Sequence, residues 1–154
     1  MALSRQYCTF VVHDLFCGLD VLEVQEVMRD QEMTRVPLAP RTIRGLINLR
    51  GQIVVAIDLR QRFGLPEAET QGTPINVVVR SADGAVSLMA DDIDEVVEVS
   101  DDVFESAPTT LSPATRELIS GVCKLEGRLL MILDLAKLLD LPEPGESDLN
   151  PSLP

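Results

Sequence analysis

"IRGLINLRGQIVVAIDLRQRFGLP" (residues 43–66) returns without a gap as "ISGVCKLEGRLLMILDLAKLLDLP" (residues 119–142), 76 residues further along the chain. Eight positions are identical: Ile43/Ile119, Gly45/Gly121, Leu49/Leu125, Gly51/Gly127, Asp58/Asp134, Leu59/Leu135, Leu65/Leu141 and Pro66/Pro142. In the first copy Ile47 and Leu49, then Ile53, Val55 and Ile57, alternate with other residues at the two-residue strand period, which predicts a hairpin. Gly51 and Gly127 fall where the chain reverses, a place that commonly requires the positive φ glycine adopts without a Cβ clash. Asp58 and Asp134 end the return strand and can accept the first amide N–H groups of a short helix. Leu59 with Phe63, and Leu135 with Leu139, are i,i+4 pairs that pack that helix, Gly64 suits its left-handed close, and Pro66 and Pro142 stop it. A period this long, present twice, indicates a duplicated β-unit and not a solenoid.

A weaker echo extends the duplication. "LEVQEVM" (22–28) resembles "DIDEVVE" (92–98) when Val24, Glu26 and Val27 are set against Ile93, Glu95 and Val96. The expected organisation is one domain over 1–154, with halves at roughly 16–66 and 86–142, crossing terminal strands and a flexible acidic, proline-rich tail at 143–154. Aromatics are only 3% of the 154 residues and tryptophan is absent, so the core must be aliphatic, as suits strands and small barrels.

The formal net charge of −12 argues against nucleic acid, whose binding needs a basic footprint. The start, "MALSRQYCTFVV", enters a strand pattern with no basic, apolar and small-residue leader, and runs such as "IVVAI" and "LLMIL" are too short to span a membrane. Cys8, Cys17 and Cys123 are odd in number and lie in strand-like context, as reduced thiols would. A cytoplasmic protein without membrane insertion is expected.

Within this acidic chain Arg41, Arg44, Arg50, Arg60 and Arg62 concentrate positive charge in residues 41–62. Where the first hairpin has Arg50 the second has Glu126, and Arg60 and Arg62 oppose Ala136 and Leu138. The turn thus accepts either sign of charge, which assigns Arg50 a role outside the fold. The cluster reads either as a docking surface for an acidic partner or as a solvated face paired with the chain's own carboxylates.

Catalytic signals are absent. His13 is the single histidine, which excludes a multi-histidine metal site, and there is no Cys-x-x-Cys pair, phosphate-binding glycine loop or G-x-S-x-G elbow. The carboxylates Asp91, Asp92, Asp94 and Glu95 of "ADDIDEVVEVSDD" (90–102) lack EF-hand spacing, and a half-buried segment with a polar face accounts for them more simply than a metal-dependent enzyme does. No cofactor and no metal are expected.

"VLEVQEV", "TRVPLAPRTIRGLINLRGQIVVAIDLRQRFGL", "SLMADDIDEVVEV" and "ISGVCKLEGRLLMILDLAKLL", in that order from about residue 5 to residue 141, resemble the CheW family of bacterial chemotaxis coupling proteins. The "NLRG…DLR" block carries most of the specificity. The resemblance implies a mostly β protein of two five-stranded SH3-like barrels packed together with short helices. It also implies a non-catalytic adaptor that joins the cytoplasmic tip of methyl-accepting chemotaxis receptors to the regulatory domain of the histidine kinase CheA, and is recruited through them to membrane receptor arrays. Carried over by motif, the receptor-binding positions are Val24, Glu26 and Arg50. An adaptor of a pilus or gliding motility pathway is the alternative on the same fold. Where the family often has proline, this chain has Ala56, which makes that strand more regular.

Overall fold

The computed structural model describes residues 3–29, 31–67, 73–82 and 84–141; the tail at 143–154 lies outside the described residues. Eleven strands are formed among them: β1 (Ser4–Val12), β2 (Leu15–Asp20), β3 (Val24–Arg29), β4 (Ile43–Leu49), β5 (Gln52–Asp58), β6 (Ile75–Ser81), β7 (Gly84–Ala90), β8 (Asp92–Ser100), β9 (Phe104–Glu105), β10 (Ile119–Leu125) and β11 (Arg128–Leu133). Three short helices accompany them: α1 (Leu59–Arg62) after β5, α2 (Pro113–Leu118) before β10, and α3 (Leu135–Leu139) after β11.

The strands make two sheets with one plan. The first runs β8-β1-β2-β11-β10-β9 and the second β3-β6-β7-β5-β4. In each, a single parallel pair, β11 with β2 and β5 with β7, joins antiparallel neighbours. The repeat is therefore topological: β4–β5–α1 corresponds to β10–β11–α3, β6–β7 to β1–β2, and β3 to β8. The second sheet is built from 24–90, while the first takes strands from both ends of the chain. Both sheets carry a register shift at the place the weaker echo marks, between Val24 and Glu26 in one and across Ile93 to Val96 in the other. A bulge of this kind bends a strand and increases its twist.

The mostly β architecture with two matching five-stranded units is as expected, with β9 as an addition. Its Glu105 pairs with Val122, and the same place in the other sheet is held by a single bridge from Thr34 to Leu46, the repeat counterpart of Val122. This outer segment explains the shared glycines. A Cβ on Gly45 would stand 2.7 Å from the Thr34 carbonyl oxygen, and one on Gly121 would meet the Phe104 ring and stand 2.5 Å from the Glu105 oxygen.

Alternation on the central strands divides the interior. Phe10, Val12 and Leu19 from one sheet and Ile75, Val77, Val79 and Leu88 from the other enter a common core that Leu59, Leu135 and Leu138 of the helices complete. The opposite faces carry smaller clusters, Tyr7, Phe16, Cys123 and Leu130 on the first sheet and Leu49, Val54 and Val78 on the second. Because both faces of β6 are buried, it reads as a continuous run, "INVVV", and not as an alternating one. Cys8, Cys17 and Cys123 are free and buried.

Candidate partner-binding face

The β4–β5 turn has two loop residues between Leu49 and Gln52, and both Arg50 (φ 53°) and Gly51 (φ 86°) take positive φ. That pairing gives the twist right-handed strands favour in a two-residue hairpin, and it strains a non-glycine at the first position. The side-chain oxygen of Asn48 accepts the Gly51 N–H at 3.0 Å. In the β10–β11 turn only Gly127 (φ 75°) has positive φ. The two hairpins thus share a glycine and differ in backbone at Arg50 and Glu126, a difference hidden in the aligned letters.

Arg50 also has a place in the fold. Its guanidinium donates from Nη1 to Glu26 Oε2 at 2.6 Å and from Nη2 to Glu26 Oε1 at 3.0 Å. This fork joins the β4–β5 turn to β3, so the outermost strands of the second sheet are drawn together. The Arg50 side chain remains 72% exposed while that of Glu26 is 21% exposed. Hydrogen bonding from Arg50 holds the Glu26 carboxyl below the usual carboxylate range, and Glu26 in turn raises the guanidinium. Val24, half-buried, packs against the common core from the same strand.

The first sheet closes in the same way with different residues. Arg128, next to Gly127 at the start of β11, donates to Asp94 of β8 at 3.0 Å and lies 3.5 Å over the Phe16 ring. The Asp94 carboxyl is held low by the Glu95 amide and by Arg128. Sequence reading missed this closure; its signal was the echo that sets Glu26 against Glu95, one residue from Asp94.

The other arginines divide. Arg41 is exposed, and Arg44 is largely exposed with its guanidinium 3.5 Å from Asp58. Arg60 and Arg62 turn inward. Arg60, 17% exposed, donates to Asp91 from Nε at 2.9 Å and from Nη2 at 2.5 Å, and to the Pro66 carbonyl at 2.9 Å. Arg62 donates to the carbonyls of Leu138 (3.0 Å), Lys137 (2.8 Å) and Asp140 (3.0 Å) at the end of α3. Of the predicted basic surface, Arg41, Arg44 and Arg50 face outward, with Arg44 and Arg50 at opposite ends of β4.

Asp58 accepts the Arg60 and Gln61 amides at 3.0 and 3.3 Å, and Asp134 accepts that of Lys137 at 3.2 Å. Burial raises the Asp58 carboxyl, against the pull of these amides and of Arg44. Gly64 (φ 72°) follows α1. The acidic run is spent on the fold: Asp91 holds Arg60 and accepts the His13 amide at 2.7 Å, Asp94 holds Arg128, and Asp92 accepts the amide of Ile93. Among the described residues no three His, Cys, Asp or Glu side chains group to hold a metal ion, and no helix is long and apolar enough to cross a membrane.

Residues 6–143 match the model of the CheW-like domain. The chain is 34% identical to the chemotaxis protein CheW of Bacillus subtilis over 137 residues, covering 89% of this chain and 88% of that one. Against the chemotaxis protein CheW of Treponema pallidum it is 30% identical over 142 residues, with 90% and 84% covered. The crystal structure of the scaffolding protein TtCheW from Thermoanaerobacter tengcongensis superposes with a TM-score of 0.82 at 26% identity, over 96% of this chain and all of that one. With the family match, the relatives and the fold in agreement, the chain belongs to the CheW family of non-catalytic chemotaxis scaffold proteins.

Proposed function

We propose that this scaffold couples the cytoplasmic tip of a methyl-accepting chemotaxis receptor to the regulatory domain of the histidine kinase CheA, working in the cytoplasm and reaching membrane receptor arrays through these partners. The observation that supports the reading is the state of Arg50. Glu26 holds it in place with two of the guanidinium's donors, and the remaining donors on a mostly exposed side chain are left for a partner. Half-buried Val24 and exposed Leu22 and Ile53 add apolar surface on β3, just before it, and on β5. An apolar patch beside an oriented guanidinium suits a partner helix, with hydrophobic contact supplying affinity and the charge fixing register.

The test is a pull-down of the chain, and of Arg50→Gln, with a receptor cytoplasmic fragment and a CheA-type kinase from the same cell. The parent is expected to bridge the two and the variant to retain the kinase with weakened receptor binding. If the folded parent retains neither partner, the assignment is lost.

A further inference from the structure

Arg62 and Leu138 are the same position of the two repeats, and they touch: Arg62 Nε donates to the Leu138 carbonyl at 3.0 Å. In a two-fold assembly the residues that meet their own counterparts lie on the axis. The α1–α3 contact therefore marks an internal pseudo-two-fold between the sheets. Identical side chains here would oppose like charges or leave two leucines face to face. The chain instead puts a cation on α1 and, on α3, the carbonyls of a helix end, which a guanidinium satisfies well.

We propose that α1 fixes how the two sheets are oriented, with Arg62 as the positioning residue on the pseudo-axis and Arg60 as a second fastening. Arg62 grips three carbonyls at the end of α3, which follows β11 of the first sheet. Arg60 grips Asp91, the residue between β7 of one sheet and β8 of the other, whose own N–H donates to the Val11 carbonyl of β1. The common core already holds the sheets together, but apolar burial is non-directional and permits sliding and rotation. Charge-assisted hydrogen bonds from a planar fork are directional and select one orientation. Ala136 and Leu138 occupy the equivalent places on α3, so no reciprocal fastening exists there.

The consequence for signalling rests on the coupling function proposed above. The β4–β5 hairpin that bears Arg50 runs straight into α1, so a receptor held at Arg50 on the second sheet has its geometry relative to the first sheet, and to whatever the first sheet holds, fixed by α1.

The experiment is a distance measurement between spin labels in the full free chain. Ile53→Cys on β5 and Val96→Cys on β8 place one label on each sheet at sites 60% and 57% exposed, while the native cysteines stay buried and unlabelled. Arg62→Ala, and Arg60→Ala with Arg62→Ala, are expected to broaden the distribution or shift its mean relative to the parent while far-UV circular dichroism is kept. An unchanged distribution in the folded double variant overturns the proposal. Should the alanine variants fail to fold, Arg62→Lys, which keeps the charge and loses the fork, gives the same two outcomes. In a separate arm Arg62→Ala is expected to keep binary binding to the receptor fragment and to the kinase while receptor-dependent kinase control falls several-fold. If the parent binds neither partner the coupling reading fails, and the distance result still decides the orientation.

Discussion

Arg50 and Glu26, 24 residues apart in sequence, meet fork to fork at 2.6 and 3.0 Å, so two side chains assigned to the same partner are already each other's partners in the free chain. The ion pair has two effects that mutation can separate. It joins the β4–β5 turn to β3, and it aims the unused guanidinium donors outward. Arg50→Glu destroys both, since it places a second carboxylate against Glu26. The melting temperature should drop modestly, because the pair is largely solvated on the Arg50 side. The swap Glu26→Arg with Arg50→Glu restores the pair with inverted polarity. It should recover most of the lost melting temperature while receptor-fragment binding stays weak. Thermal melts and binding isotherms on the three variants check this; binding that returns together with stability would mean the pair acts only through the fold.

Positive φ at Arg50 has its own consequence. Asparagine tolerates the left-handed region better than arginine, and Asn-Gly is a preferred pair for this turn. With the ion pair removed by Glu26→Gln, adding Arg50→Asn should raise the melting temperature, as read by calorimetry. A further fall would mean that Arg50 carries no strain.

The sequence made the duplication legible because each repeated residue answers a local demand: glycine at a reversal, aspartate at a helix start, leucines at a four-residue spacing. What it left unread depends on contacts between distant segments. Gly45 and Gly121 recur in the aligned letters, but the reason is a carbonyl from Thr34 or Glu105, which no local pattern announces. Charge alone marks Arg60 and Arg62 like Arg41 and Arg44; the fold sorts them, since a short helix points Arg60 at Asp91 between the sheets and Arg62 at the carbonyls ending α3. The Asp94–Arg128 closure escaped because its residues do not align with Glu26 and Arg50.

Those glycines make a steric prediction. Gly121→Ala must push apart β9 and β10, and Gly45→Ala must displace the Thr34 segment, since both meet backbone oxygens that cannot rotate away. Overpacking of this kind costs about 1–3 kcal/mol, and urea midpoints should fall for both. Gly18→Ala is the control, because the nearest atom, at 3.0 Å, is the end of the Leu130 side chain, which can yield. Equal losses at all three positions would show that the backbone oxygens do not set the cost, since the effect of the added methyl on the unfolded chain is to stabilise the fold.

Asp58 combines a helix cap with a buried charge. Replacing a capping aspartate by alanine typically costs about 1 kcal/mol, whereas asparagine caps nearly as well and carries no charge to desolvate. Asp58→Asn should therefore be much milder than Asp58→Ala in denaturant titrations at neutral pH. If asparagine is as damaging as alanine, the ion pair with Arg44 outweighs the cap.

The pH dependence separates Asp58 from Asp91. Burial pushes Asp91 up, but hydrogen bonds from Arg60 and the His13 amide outweigh it and leave the carboxyl below its ordinary value. A carboxyl that binds its proton less tightly folded than unfolded stabilises the fold above its unfolded value, near ~4, and loses that contribution as the pH falls through the depressed folded value. The gap in urea midpoint between the parent and Asp91→Asn should therefore be widest around neutral pH and close on acidification. At neutral pH the loss of a charged acceptor from Arg60 is worth about 1.5–3 kcal/mol. Asp58, raised by burial, has the opposite sign: its contribution is present below its unfolded value and is lost as pH rises through the raised folded one. The gap between the parent and Asp58→Asn should accordingly shift in the parent's favour on acidification, and parallel gaps for the two variants across the titration would contradict the assignment of opposite shifts.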